Sequence, residues 1–149
     1  MSRRLLFLVV LLAASLNASA EDLLMARSRQ AFPEAMLTLQ ESIRNHGYVV
    51  QRVQRVDIGL TAMGYQTDKY RVVFLGKLEE TRELAAAHPE LIPYLPLKIS
   101  IFAEGNQTLL VTSNPATLKA LYPDPSLAVR FDRWERDLRS IFEDVRFIE

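Results

Sequence analysis

The sequence contains no cysteine among its 149 residues. A fold without disulfides must rest on a packed core, and a chain of this length can build one. The same absence excludes thiol catalysis, iron–sulfur clusters, thiolate zinc sites and c-type haem attachment. Only two histidines are present, and neither has the carboxylate spacing of a metal site. We therefore expect no metal and no cofactor.

An excess of charge is also missing, because 18 basic residues balance 18 acidic ones. A surface without a strong basic field does not gather nucleic acid, so DNA and RNA are not expected as partners. The sequence also lacks a GxSxG nucleophile elbow and a Walker loop. These absences favour a protein that is not an enzyme.

The first twenty residues have the pattern of a secretory leader. Arg3–Arg4 precede the apolar run Leu5–Leu12, and Ala18–Ala20 supply the small residues that a signal peptidase accepts. The apolar run is too short for a comfortable membrane span. We predict a signal peptide at 1–20 and one periplasmic or secreted domain at 21–149. An uncleaved anchor is the alternative, and it would be the chain's one contact with a membrane.

The stretch 95–115 predicts a β-hairpin. Apolar and polar residues alternate from Leu97 to Glu104, which is the period of a strand with one buried face. Gly105 and Asn106 suit the bend because both tolerate unusual backbone angles. The run 108–112 supplies the second strand. This hairpin is the centre of the predicted sheet.

The length of the hairpin loop decides which side chains face the core. A loop of two or four residues would put Leu110 on the buried face with Ile101. A loop of three residues, Glu104–Asn106, would bury Leu109 instead and leave Phe102 and Leu110 outside. We favour three residues, because register follows the apolar pattern. Phe102 and Leu110 are then expected to form a ligand or dimer face.

The remaining chain alternates strands and helices. Strands are predicted at 22–28, 48–56 and 71–75. Helices are predicted from Phe32 to Gly47, at 58–63 after an Asp57 cap, at 79–87, from Asn114–Pro115, and from a Ser126 cap to Val145. The fold class is α/β of the α+β type, a two-layer domain in which helices back a mostly antiparallel sheet of about five strands.

Two short features are candidate binding sites. Gly76 and Lys77 lie between a strand and a helix, where free backbone N–H groups can hold an anion, although Glu79 and Glu80 would repel it. His46 is a candidate metal ligand or base, but a histidine in the last turn of a helix is better explained by the helix dipole.

The hairpin and its flanks resemble the Domain of Unknown Function 302 family. The resemblance rests on the order Leu95–Lys98, an apolar strand, Glu104–Gly105 at the bend, a second strand and Asn114–Pro115. Upstream elements are similar too, and the resemblance covers about residues 22–145. It implies a small α/β domain with a sheet backed by helices, often a dimer, with no settled activity.

Two positions depart from that family. Its members often carry Asp-His where this chain has Asp57–Ile58, and Gly-Asn-Pro where it has Gly76–Leu78. We therefore carry over no catalytic residue.

The functional hypothesis is an exported, non-catalytic module that binds an apolar ligand or a protein partner, with a homodimer as one form. The alternative is a small periplasmic enzyme, hydrolase-like or acting on sulfur compounds. Its site would gather carboxylates with Tyr65, Tyr70 or His88.

Overall fold

The computed structural model describes residues 21–147, so the predicted signal peptide lies outside the described residues. The strands are β1 (Leu23–Ser28), β2 (Val49–Arg55), β3 (Tyr70–Gly76), β4 (Leu97–Glu104) and β5 (Gln107–Ser113). The α-helices are α1 (Phe32–Asn45), α2 (Val56–Ala62), α3 (Leu78–Ala87) and α4 (Pro125–Phe147), and 3-10 helices cover Pro89–Tyr94 and Pro115–Ala120. Within residues 21–147, no helix is long and apolar enough to cross a membrane.

The five strands form one sheet in the order β1-β5-β4-β3-β2. Every neighbouring pair is antiparallel. The hairpin β4–β5 lies inside this sheet, and β1 and β2 are its edges. The predicted fold class, an α+β domain with an antiparallel five-stranded sheet, is confirmed.

The core lies between one face of the sheet and the helices. Ile99 and Ile101 of β4 are fully buried there, together with Val73 and Leu75 of β3. Helix α1 packs on α4 and on three of the strands, and α4 also packs on β1. The apolar side of α4 is buried along its whole length, as its spacing predicts: Leu127, Phe131, Trp134, Leu138, Ile141 and Val145.

Helix ends follow the predicted signals at two places and differ at two others. Gly47 ends α1 with φ 75°, and the Asn114 side chain accepts a hydrogen bond from the N–H of Ala116 at 2.9 Å. The predicted Ser126 cap is wrong, because Asp124 Oδ1 accepts from the Ser126 N–H at 2.8 Å. The predicted Asp57 cap is also wrong. Asp57 lies inside the first turn of α2, where it pairs with Arg71 instead.

The predicted three-residue hairpin loop is wrong. Glu104 pairs with Gln107, so the loop is Gly105–Asn106 alone, and Ile101 pairs with Leu110. Gly105 has φ 60°, and positive φ at the first of two loop residues is the pattern of a type II′ turn. Leu110 is consequently in the core, fully buried, and not on the outer face.

Candidate functional site

The sheet has a second face, which points away from the helices. Alternation along each strand places there the neighbours of the core residues, and cross-strand pairing brings Phe102 beside Tyr70 and Leu109, and Ser100 beside Val72 and Val111. We call this surface the open face. Its central members are Tyr70, Val72, Phe74, Lys98, Ser100, Phe102, Leu109 and Val111.

A broad hollow of about 480 Å³ lies on the open face. All five strands contribute to its lining, and no helix does. Its floor is at Ser100, whose small side chain lies between Val72 and Val111 of the neighbouring strands. Phe74 and Lys98 form another side of the hollow. The hollow therefore combines a small hydroxyl side chain at its floor with apolar neighbours and one cationic side chain.

Phe102 stands beside this hollow without lining it. Its ring meets the ring of Tyr70 edge-on, with the centroids 5.9 Å apart. A second hollow of about 400 Å³ lies on the far side of Phe102, next to residues 67–70. The open face is thus a hollow and an aromatic ridge in adjacent rows, and the predicted outward position of Phe102 is correct.

Leu110 does not share this face, and Leu109 takes its place. The two-residue loop turns Leu109 to the side of Phe102, where it is only 5% exposed because its neighbours on the sheet cover it. The prediction that Phe102 and Leu110 lie together is wrong for Leu110. Leucine and valine side chains of β5 still make the open face apolar, through Leu109 and Val111.

Charged side chains lie at both ends of the open face. At the end near the hairpin loop, Arg27 of β1 donates to Glu104 of β4, with Nε 2.7 Å from Oε2. That hydrogen bond lowers the pKa of the Glu104 carboxyl. At the other end, Lys98 is exposed, and it has no ion pair among the residues that the structure describes. The open face therefore has a carboxylate at the end near the hairpin loop and, within the described residues, an unpaired ammonium group at the opposite end.

The predicted anion site at Gly76 and Lys77 lies on the helical side of the molecule. A Cβ at Gly76 would stand 2.9 Å from Gln51 Nε2 and 3.1 Å from Thr81 Oγ1, so only glycine fits without a shift of these side chains. The Lys77 ammonium lies 4.9 Å from the centroid of the Tyr48 ring. Anion binding here stays a prediction.

Behind Lys77, a partly buried polar cluster joins α3 to α4. Glu80 accepts hydrogen bonds from Arg133 and, at 3.1 Å, from Arg130, and Trp134 Nε1 lies 3.4 Å from its other oxygen. Burial opposes ionisation of Glu80, but the hydrogen bonds and charge of the arginines prevail and hold its pKa below the usual range. The neighbouring pair Tyr48 and Asp137 completes the cluster. Most of its polar groups pair with one another, which is the behaviour of a structural network, while Arg133 Nε is buried without a hydrogen-bond partner among the described residues.

Sequence reasoning missed this cluster. It took Glu80 for an acidic residue of a first helical turn, and it assigned no role to Arg130 or Arg133. The available signal was their position: both arginines flank the buried stripe that contains Trp134.

The residues of the enzyme hypothesis are on different elements. Tyr70 starts β3 and lines both hollows, whereas Tyr65 is an exposed residue after α2. His88 follows α3, and its Nδ1 lies 3.2 Å from Glu90 Oε1. Within residues 21–147, no hydrogen bond joins any two of Tyr65, Tyr70 and His88, and no three His, Asp or Glu side chains are grouped to hold a metal.

His46 lies at the C-terminal end of α1, as its structural interpretation predicts. Its Nδ1 is 2.9 Å from the carbonyl oxygen of Ser42 and 3.7 Å from Oδ2 of Asp144.

The two positions that differ from the resembled family lie at opposite ends of β3. Asp57 pairs with Arg71 near the start of the strand, and Gly76 is its last residue. Five residues of extended chain separate Arg71 from Gly76 by about 17 Å. In this chain the two positions therefore do not form one site.

The fold and the open face together define a small α+β domain built on a single antiparallel sheet. Residues 25–145 match the family described as Domain of unknown function DUF302, and the chain belongs to that family. None of the curated proteins matches this chain. The crystal structure of an uncharacterized conserved DUF302 protein from Bacillus stearothermophilus is similar, with a TM-score of 0.76 and 19% identity. The similarity covers 85% of this chain and all of that one, and it shows the shared fold.

Proposed function

We propose that this protein is an exported, non-catalytic binding module that acts through its open face, and that a second copy of the chain closes this face. The observation that carries the proposal is the hollow of about 480 Å³, which only strands line. Core residues of the sheet's inner face such as Ile99, Ile101 and Leu110 are fully buried, whereas Phe74, Phe102 and Val111 of the open face remain half-buried.

The physical argument is the cost of leaving such a surface in water. Contiguous apolar patches on soluble proteins generally mark interaction sites. Tyr70, Val72, Phe74 and Phe102 come from two adjacent strands, so they form one continuous patch and not isolated exposed residues. Homo-oligomers most often close such a surface around a two-fold axis, because one patch then serves both partners.

The test is the Phe102→Asp variant. A carboxylate at this position would be buried without a partner in the assembly, while the monomer could keep it in water. We expect light scattering to give a dimer for the wild type at micromolar concentration and a monomer for the variant, with unchanged circular dichroism. The matched control is Leu37→Asp, because Leu37 is a 68% exposed apolar residue on α1.

A wild-type protein that is monomeric at high micromolar concentration and carries no ligand in native mass spectrometry would contradict the proposal. A monomer that carries an apolar ligand would keep the open face as the binding surface and remove the second copy. The enzyme alternative has only Tyr70 of its three residues on this face, and no observation favours it.

A further inference from the structure

We infer that two copies pack their open faces together with their β4 strands antiparallel, so that Lys98 of each copy pairs with Glu104 of the other. The two-fold axis of this dimer lies between the two sheets and crosses β4 at right angles, at the level of Ile101. This inference rests on the proposed function, because it specifies how the second copy sits. Both residues are in β4 and alternate onto the open face, three positions on either side of Ile101.

Rotation about such an axis lays β4 over the β4 of the second copy in the reverse direction. A residue three positions before Ile101 then meets the residue three positions after it. Both are about 10 Å from the axis along the strand. The flexible side chains of Lys98 and Glu104 are long enough to bridge the space between two packed sheets, whose backbones are about 10 Å apart.

Lys98 and Glu104 are both able to form this additional ion pair. Lys98 is exposed and has no ion pair within residues 21–147. Glu104 accepts from Arg27 Nε at 2.7 Å and from its NH2 group at 3.3 Å, and its side chain remains 46% exposed. An ionised carboxylate has about four acceptor positions, so it can take a lysine in addition.

The opposite orientation is disfavoured by the same charges. If the two-fold axis ran along β4, the strands would stack in the same direction, and Lys98 would meet Lys98 of the second copy. Glu104 would likewise meet Glu104. Like charges placed together across an interface are strongly unfavourable.

The shape of the open face agrees with the antiparallel arrangement. Ser100 and Phe102 lie one position on either side of Ile101, so the axis sets Phe102 of one copy over Ser100 of the other. Ser100 is the floor of the hollow, and Phe102 is the ridge beside it. The same rotation brings Leu109 of β5 over Val111, because Leu110 lies in the row of Ile101.

The experiment uses two charge-reversal variants of the full domain, Lys98→Glu and Glu104→Lys. Each homodimer then contains two like-charge contacts, and we expect each variant alone to dissociate at least about tenfold more readily than the wild type. In an equal mixture, the heterodimer contains two opposite-charge contacts, one between the native Lys98 and Glu104 and one with the signs exchanged. We expect native mass spectrometry of the mixture to give mainly the heterodimer.

The contact of residue 104 with Arg27 lies within one copy of the chain. It is present in the monomer and in the dimer, so it does not alter the comparison of their stabilities. Circular dichroism and thermal melting of each variant check that both remain folded. The opposite orientation would have two like-charge contacts in the wild type and in each variant. A dimeric wild type whose two variants each dissociate no more readily than it does would therefore overturn the antiparallel arrangement and leave the proposed function standing. A monomeric, ligand-free wild type would overturn both.

Discussion

The hydroxyl of Tyr48 donates a hydrogen bond of 2.6 Å to Oδ2 of Asp137. This contact joins the residue that precedes β2 to the middle of α4, 89 positions further along the chain. Tyr48 is buried, and burial followed by the Asp137 contact raises the pKa of its hydroxyl. The hydroxyl therefore keeps its proton and remains a donor at neutral pH.

Tyr48→Phe should lower the free energy of unfolding by about 1.5 to 3 kcal/mol, because it removes a hydrogen bond to a charged, partly buried group. Urea unfolding measures the change. Tyr65→Phe is the matched control, since Tyr65 is 61% exposed, and it should have no measurable effect. Equal effects of the two substitutions would contradict a stabilising role for the Tyr48 contact.

Glu80 should make stability depend on pH in acid. Its folded pKa is held below the ordinary value of 4.5, so its contribution is present above that value and is lost as pH falls through the lower folded pKa. We expect Glu80→Gln to be less stable than wild type near neutrality, with a difference that shrinks below pH 4.5. Urea unfolding at a series of pH values tests this, with the 82% exposed Glu79 replaced by Gln as control. A difference independent of pH would contradict the prediction.

Trp134→Ala should destabilise the domain by about 3 to 5 kcal/mol, because it leaves a cavity in the core. The side chain is 2% exposed, and its ring lies 5.7 Å from that of Phe131, centroid to centroid. Thermal unfolding measures the loss. Val129→Ala on the wet side of the same helix, where Val129 is 69% exposed, should change the melting temperature little. An unaltered melting temperature for the tryptophan variant would show that the stripe does not carry the core.

The predicted signal peptide determines which residue should be the N-terminus of the processed protein. If Ala18–Ala20 is cut by a signal peptidase, the exported protein should begin at Glu21. Sequencing the N-terminus of protein from the cell envelope tests this. Intact Met1 in the membrane fraction would replace the soluble exported form with an anchored one.

The strands and helices were predictable because their periods and end signals agree. The hairpin register was not, because β5 reads Thr108-Leu109-Leu110-Val111-Thr112, which has apolar residues on both faces. Threonine looks like an outward residue in such a pattern. Here Thr108 and Thr112 face inward and are buried, and their hydroxyls donate to the carbonyl oxygens of Gln30 at 3.0 Å and Lys98 at 2.7 Å. Hydroxyls that have hydrogen-bond partners can be buried. The two threonines therefore occupy the inner face, and Leu110, not Leu109, lies there with them.

The open face was predictable only in part, because its composition depends on the same hairpin register. The alternation of β4 placed Phe102 outside whatever the loop length, whereas the hollow depends on which residue of β5 lies beside Ser100. That residue is Val111, which the two-residue loop places there and a three-residue loop would not. The positions of Arg130 and Arg133 beside the buried stripe were readable from the sequence, but their partners were not, because Tyr48, Glu80 and Asp137 come from three distant segments that meet only in the folded chain.

The order of the strands also bears on how the domain is completed during synthesis. β1 pairs with β5 alone, and Leu23 lies opposite Ser113, 90 residues later in the chain. A chain that is synthesised from its N-terminus presents β1 long before β5. Until then, the backbone groups of β1 have no strand to bond, and Leu24 has no core to enter. The sheet therefore closes only once most of the domain has been made, and the growing chain passes through an interval in which its first strand must be kept from pairing elsewhere.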